Sequence, residues 1–204
     1  MEEKFEQIKT WLGSGSINFF GLPLSGKDTV GLKLAEVIGA EFLSSGDIIR
    51  QAEAEKGEED TTAEGKLTPT NKFYDLVLPY FEREELTGRG LVLSSIGRWS
   101  GEETRVMEAA ASGGHPIKAV VFLDMSIEEL KKRWEANKTL VDRGERADDK
   151  NWQIMETRIR EFEEKTKPVL GVYEKMGKLI KVKVDGSREE MFERVIEGIL
   201  RFKE

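Results

Sequence analysis

The stretch Gly21-Leu22-Pro23-Leu24-Ser25-Gly26-Lys27-Asp28-Thr29 combines residue types that together can hold phosphate. Two glycines bracket a turn, so backbone N–H groups can converge on an anion without obstruction from Cβ atoms. Lys27 follows the second glycine at once and supplies a flexible point charge able to follow phosphate oxygens during transfer. The helix expected from Lys27 onward adds unpaired N–H groups and the positive end of its dipole. Ile17 to Phe20, mostly apolar and β-favouring, lead into the first glycine. The spacing G-x-x-x-x-G-K therefore stands in strand–loop–helix order, the context a phosphate loop requires. An ordinary glycine-rich turn is the plain alternative, and the agreement of spacing with context argues against it. Loops of nucleotide hydrolases place Ser or Thr directly after the lysine to hold magnesium. Here Asp28 stands in that place, and the hydroxyl arrives one residue later at Thr29.

Ser45-Gly46-Asp47-Ile48-Ile49-Arg50 is a second candidate anion site. A hydroxyl and helix-start amides accept an anion there, and Arg50 offers a bidentate fork. The same residues suit an ordinary helix cap; their place directly after a second strand behind the phosphate loop strengthens the binding reading. Val120-Val121-Phe122-Leu123-Asp124 is an apolar strand ending in a carboxylate. Such an aspartate holds magnesium in an ATPase or GTPase, or caps the next helix, and capping is the favoured reading. His115 is the only histidine and sits beside glycines and Pro116, so no catalytic role is expected of it.

Strands are expected near residues 17–20, 41–44, 91–93, 117–123 and 179–184, with the last at a sheet edge because lysines alternate along it. Helices are expected over 27–38, 70–86, 103–111, 127–137 and 188–202, with a long helical region interrupted at Thr166-Lys167-Pro168. The alternation predicts an α/β fold, a three-layer arrangement around a five-stranded parallel sheet. Ligands bind beyond the carboxyl ends of such strands, where these motifs fall. Residues 2–12 read as an amphipathic helix with Phe5, Ile8, Trp11 and Leu12 on one face, packed on the core edge. Gly13 to Ser16 read as a flexible joint, so residues 1–16 form an extension to a main domain over 17–204.

Composition narrows the function classes. The chain has 204 residues, 38% hydrophobic and 35% charged, enough for one core domain with insertions. Its 39 acids against 32 bases give −7, a poor match for nonspecific nucleic-acid binding. There is no cysteine, which excludes disulfides and thiolate metal clusters. No apolar run approaches the ~20 residues of a membrane helix, and no signal-peptide pattern opens the sequence. A cytoplasmic protein that binds neither nucleic acid nor membrane is the default expectation.

Taken in order, these segments resemble the adenylate kinase family of nucleoside monophosphate kinases, over about residues 17–202. Gly21-x-Pro23-x-x-Gly26-Lys27-x-Thr29 is similar to the family's loop, which usually has glycine where Leu24 and Asp28 stand. Ser45 to Arg50 is similar to the family's Thr-Gly-Asp-x-x-Arg, which holds the acceptor monophosphate. Gly65-Lys66-Leu67-Thr68-Pro69 resembles a segment that contacts the acceptor base. After the third strand the family usually reads Asp-Gly-Phe-Pro-Arg, with Gln four residues beyond. Arg98 matches that arginine, Glu102 takes the glutamine's place, and Ser94 replaces an aspartate that helps hold magnesium's waters. Arg133 matches an arginine that lies against the ATP base and phosphates. Arg146-Ala147-Asp148-Asp149 resembles the family's lid end, and Arg158 a downstream arginine, one residue further on than the family spacing. Asp185-Gly186-Ser187 resembles the loop against the ATP base. Thr166-x-Pro168-Val169 with Tyr173 and Gly177-Lys178 also looks like short-lid adenylate and UMP/CMP kinases.

The resemblance implies reversible, magnesium-dependent transfer of the ATP γ-phosphoryl group to AMP or a related monophosphate, by a protein expected to be monomeric. Gly21 to Thr29, Arg133 and Gly186 would hold ATP; Ser45, Gly46, Arg50, Leu67, Thr68, Arg98 and Glu102 would hold the acceptor. Lys27, Arg98, Arg146 and Arg158 would neutralise the phosphoryl group in flight. Asp47, Asp148 and Asp149 would order magnesium's water shell, with no direct protein ligand implied. An acceptor-binding insertion is expected at about 45–75 and a short lid at about 137–147, without the cysteines that bind zinc in long-lid relatives. Glu102 bears on the base: an amide both donates to adenine N1 and accepts from N6, whereas an ionised carboxylate only accepts. It would take the adenine N6 proton or two adjacent donors on guanine, unless it is simply a helix-surface acid. UMP/CMP or GMP kinases are alternatives, as are a P-loop ATPase or GTPase using Asp124 and a weakly catalytic nucleotide-binding protein suggested by Ser94.

Overall fold

The computed structural model describes residues 1–57, 60, 63–138 and 151–203. The chain opens with α1 (Glu2–Leu12), β1 (Ser16–Gly21) and α2 (Lys27–Ile38). β2 (Glu41–Ser44), α3 (Ser45–Lys56) and α4 (Thr70–Val77) follow. Next come β3 (Leu91–Ser94), α5 (Glu102–Ser112), β4 (Ile117–Asp124) and α6 (Ile127–Lys138). α7 (Trp152–Glu161), α8 (Lys167–Lys175), β5 (Leu179–Lys183) and α9 (Arg188–Phe202) complete it.

The five strands form one parallel sheet in the order β2-β3-β1-β4-β5. All six residues of β1 are buried, as expected of a central strand covered on both faces. Phe19 is level with Ser94, the last residue of β3, so β1 continues past its neighbour to Gly21. That step opens a crevice at the carboxyl ends of β1 and β3. β5 lies at the edge, with Ile180 and Val182 inward and Lys181 and Lys183 exposed.

The helix expected over 70–86 stops at Val77, and 3₁₀ turns continue it at Leu78–Glu82 and Glu84–Leu86. Pro79 has no N–H for the carbonyl one turn back, and its ring crowds that carbonyl. A π turn, Phe162–Thr166, separates α7 from α8 and puts Pro168 in the first turn of α8, where its missing N–H is harmless. The cap expected of Asp124 is made by Ser126, whose Oγ accepts the Glu129 N–H at 3.1 Å; Asp124 itself is exposed.

The joint at Gly13–Ser16 is pinned rather than flexible, because buried backbone groups need partners. Leu91 donates its N–H to Gly15 O, His115 Nδ1 lies 2.9 Å from Ser14 O, and Ser16 Oγ donates to His115 O at 2.9 Å. His115 is fully buried and does structural work, in keeping with the absence of a catalytic expectation. α1 buries Ile8 and Leu12, sets Phe5 against Phe192, and turns the edge of Trp11 to Phe202. It is thus part of the core. Leu12→Ala should lower unfolding free energy by about 2–5 kcal/mol through the cavity it leaves, read from urea or thermal unfolding; an unchanged midpoint would show that α1 is energetically detached.

Candidate active site

The phosphate loop is assembled by close backbone approach. Gly26 caps α2 at φ +86°. A Cβ on Gly21 would stand 2.5 Å from Ser25 Oγ and 3.2 Å from Leu123 O, so the loop closes only over a glycine. Ser25 is fully buried and its Oγ has no hydrogen-bond partner among the described residues, which leaves a donor inside the loop for an anion. Leu24 sits at φ +61°, in the position where glycine was expected from the resemblance. Left-handed backbone costs a side-chain-bearing residue about 1–2 kcal/mol. Arg133 holds it there, donating to Leu24 O at 3.2 Å while its Nε pairs with Glu129 Oε1 at 2.9 Å. Leu22 and Pro23 are buried, and Thr29 is exposed on the first turn of α2. Lys27 is mostly covered, with Nζ 3.8 Å from Asp28 Oδ2.

A cleft of about 780 Å³, counting its open mouth, lies between this loop and the insertion formed by α3 and α4. Lys27 and Asp28 line one end, Ser45, Gly46 and Arg50 come from α3, and Leu67 and Thr68 from the following loop. Arg98, Glu102 and Arg158 complete the wall. Ser44, not Ser45, caps α3, accepting the Asp47 N–H at 3.4 Å. The Ser45 hydroxyl instead donates to Ser95 O at 2.8 Å, tying α3 to the loop after β3. Asp47 is exposed, pairs with Arg50 at 2.5 Å, and stands outside the cleft lining.

Arg98 is aimed by a tightly held turn. Ser95 adopts φ +57° and donates its N–H to Phe19 O at 2.8 Å. Asn18, fully buried on β1, reads the next residue like a strand edge: its Nδ2 donates to Ile96 O at 2.8 Å and its Oδ1 accepts the Ile96 N–H at 3.3 Å. Burial and the like charge of Arg158 pull the Arg98 guanidinium down to about 10, so it is still cationic at neutral pH. Two guanidiniums sharing a partly desolvated cleft repel each other, and an anion between them relieves the repulsion.

Glu102 is 2% exposed, which rules out the helix-surface reading. Its Oε1 accepts from Thr70 Oγ1 at 2.7 Å and its Oε2 from the Trp99 N–H at 3.0 Å. Burial pushes its carboxyl above the usual 4.5, against the pull of those hydrogen bonds.

Residues without an expected role also build the site. Glu161 accepts the Leu67 N–H at 3.1 Å and takes Lys165 Nζ at 2.6 and 2.8 Å. Burial opposes its ionisation, but Lys165, the Leu67 N–H and nearby Arg98 outweigh that and hold its carboxyl below the usual 4.5. Lys165 lies 4.0 Å over the Trp99 ring. Gly65, at φ +77°, lets its loop lie against Ile154 O and Arg158 Cγ, each 2.8 Å from where a Cβ would be. Asn18 left a trace in the sequence as a polar residue in an apolar strand; Glu161 left none.

Other expected residues fall elsewhere. Gly186, at φ +71°, lies between β5 and α9, outside the cleft lining, beside an Asp185–Arg194 pair at 2.8 Å. Trp134 packs edge-on against Trp152 with centroids 4.8 Å apart. Arg146, Asp148, Asp149 and nearly all of the expected lid lie outside the described residues. Among the described residues no group of three or more His, Asp or Glu can hold a metal alone. Magnesium carried by phosphates needs only one or two carboxylates from the protein; Asp28 is the carboxylate that lines the cleft beside Lys27.

A parallel sheet with a phosphate loop at the end of its central strand, opening on a cleft rich in guanidiniums, defines a P-loop phosphotransferase. A family model described as an AAA domain matches residues 20–168. An adenylate kinase of Synechococcus sp. (strain CC9902) is 31% identical over 180 residues, covering 87% of this chain and 94% of the relative. A UMP-CMP kinase of Prunus armeniaca is 29% identical over 189 residues, covering 90% of this chain and 77% of the relative. The chain belongs to the adenylate kinase family of P-loop nucleotide kinases. A gluconokinase structure from Sinorhizobium meliloti 1021 superposes with a TM-score of 0.60, at 19% identity and 93% coverage of both chains, a likeness of fold alone. No described helix is long and apolar enough to cross a membrane.

Removing Asn18 would leave the Ile96 N–H and C=O without partners. Asn18→Ala should therefore cost about 1–3 kcal/mol of stability and raise the KM for the acceptor more than the KM for ATP. Equal effects on both KM values in steady-state kinetics would remove its link to Arg98.

Proposed function

We propose that the protein transfers the γ-phosphoryl group of ATP reversibly to the phosphate of AMP or a related nucleoside monophosphate, with magnesium. The observation that carries this is the meeting of Lys27, Arg50, Arg98 and Arg158, from four parts of the chain, on one cleft that also holds Glu102. The loop Gly21 to Thr29 binds the donor phosphates, its shape held by Arg133. Arg50 and Arg98 bind the acceptor phosphate, beside Ser45 and Gly46. Lys27, Arg98 and Arg158 stabilise the charge that spreads over the equatorial oxygens of the transferring group. Arg146 is proposed to join them from the lid. The acceptor phosphate is already anionic at neutral pH, so its oxygen attacks phosphorus without a general base, and ADP leaves. A hydrolase using Asp124 is disfavoured, because that carboxylate stands outside the cleft lining.

Leu67, Thr68 and Glu102 form the base end of the site. A neutral Glu102 matches adenine, its hydroxyl donating to N1 and its carbonyl accepting from N6. Ionised, it only accepts, and suits the adjacent N1 and N2 donors of guanine. Its carboxyl is held above 4.5, mainly by burial, with Glu103 adding to the rise. The neutral form therefore persists to higher pH than in an exposed glutamate and is lost as pH rises through the raised value.

Four measurements follow from this. In a coupled assay with ATP and each of AMP, GMP, UMP and CMP, AMP should give the highest kcat/KM; hydrolysis without acceptor dependence would overturn the kinase reading. The AMP-to-GMP ratio should fall as pH rises above 4.5, and a flat ratio would detach Glu102 from the base. Glu102→Gln should raise that ratio and make it independent of pH. Arg98→Ala should reduce acceptor-dependent kcat/KM by about 10²–10³-fold, the range seen when one charge-stabilising donor is removed, while circular dichroism shows the fold retained; unchanged kinetics would count against its role.

A further inference from the structure

The family pattern has an aspartate at the end of the third strand and a glycine directly after the loop lysine. This chain has Ser94 and Asp28 at those two places. Sequence alone shows two unrelated departures, 66 residues apart. The structure joins them: Ser94 Oγ donates a hydrogen bond to Asp28 Oδ1, and both side chains line the cleft with Lys27. We propose that the magnesium-shell carboxylate has moved from the end of β3 to the first turn of α2, so that Asp28, oriented by Ser94, holds the cation beside the donor phosphates. The proposal rests on the kinase reading, since it takes magnesium–ATP as the donor.

The donor set suits the ion. Magnesium dehydrates reluctantly and keeps several waters, being held by one or two carboxylates together with phosphate oxygens. Asp28 supplies one carboxylate. Its Oδ1 is fixed by Ser94, and its Oδ2 lies 3.8 Å from Lys27 Nζ, next to the group that follows the phosphates. Ser94 is 1% exposed, so its hydroxyl acts as a fixed donor rather than a ligand of its own. Among the described residues, the other carboxylates considered for the metal do not meet this geometry: Asp47 pairs with Arg50, and Asp124 stands outside the cleft lining. Ser25 Oγ, buried and unpartnered in the same loop, is independent evidence that the loop is built around a polar ligand.

A plainer role for Asp28 is a first-turn acid facing the positive end of the α2 dipole. That role alters stability but carries no dependence on magnesium. The two separate in isothermal titration of the full chain with the β,γ-methylene analogue of ATP, with and without magnesium and with no acceptor present. In the wild-type protein magnesium should tighten binding. Asp28→Asn should lose at least tenfold of that enhancement, read as the ratio of magnesium-bound to metal-free affinity in the same variant. Ser94→Ala should lose a smaller part. The double variant Asp28→Gly/Ser94→Asp, which returns the carboxylate to the strand end, should recover the enhancement to within a few-fold. Full enhancement in Asp28→Asn, or none recovered in a folded double variant, would overturn the proposal. Thermal unfolding verifies each variant; should Asp28→Asn unfold, Ser94→Ala and the double variant decide the question by the same criterion. Because no acceptor is present, a wild-type protein inert toward every monophosphate would sink the kinase reading and leave this binding result standing.

Discussion

Charge repulsion is the constraint around which this site is organised. Lys27, Arg50, Arg98 and Arg158 line one cleft, and burial, with the like charge of Arg158 adding to it, lowers the Arg98 guanidinium from its ordinary value. Acids offset part of it: Asp28 lies beside Lys27, Asp47 pairs with Arg50, and Glu161 lies within electrostatic reach of Arg98. A protein that holds cations this way gains most when an anion enters, because the anion relieves their mutual repulsion.

Holding repelling groups in place requires a rigid frame, and the frame carries backbone strain where the site needs it. Leu24 and Ser95 are the two non-glycine residues at positive φ among the described residues. One lies in the phosphate loop and the other begins the turn that presents Arg98. Each is clamped by long-range hydrogen bonds, Leu24 by Arg133 from α6 and the Ser95–Ile96 turn by β1 through Phe19 O and Asn18. Strain of this kind persists only where the surroundings over-determine it.

The cleft wall formed by α3 and the loop at Gly65 to Thr68 is equally a product of distant chain segments. The Leu67 N–H finds Glu161 across 94 residues, and Gly65 admits α7 to contact where no side chain would fit. The π turn that follows Glu161 places Lys165 over Trp99, so this helical region meets the cleft wall at Trp99 as well as through Arg158. An element outside the insertion thus sets how the insertion sits.

Much of the architecture was legible before any coordinates. Strands expected near 17–20, 41–44 and 91–93 appear as Ser16–Gly21, Glu41–Ser44 and Leu91–Ser94, because apolar runs and helical periodicity are local signals. The glycine–lysine loop was legible for the same reason: its spacing encodes its own backbone shape. Expectations drawn from local pattern failed where a nonlocal or steric term took over. Pro79 cut a helix that periodicity carried through, and the Gly13–Ser16 joint was pinned by partners from β3 and the loop before β4. The burial of Glu102 and the meeting of Ser94 with Asp28 had no local signature, and Asn18 stood out only as a polar residue in an apolar strand, with nothing local to name Ile96 as its partner. By itself, then, the amino-acid sequence determined the strands, the helices and the anion loop, since φ/ψ preference and side-chain period act over a few residues. Which charges face one another, and which carboxylate stands beside the lysine, was decided only when the sheet brought remote segments within hydrogen-bonding distance.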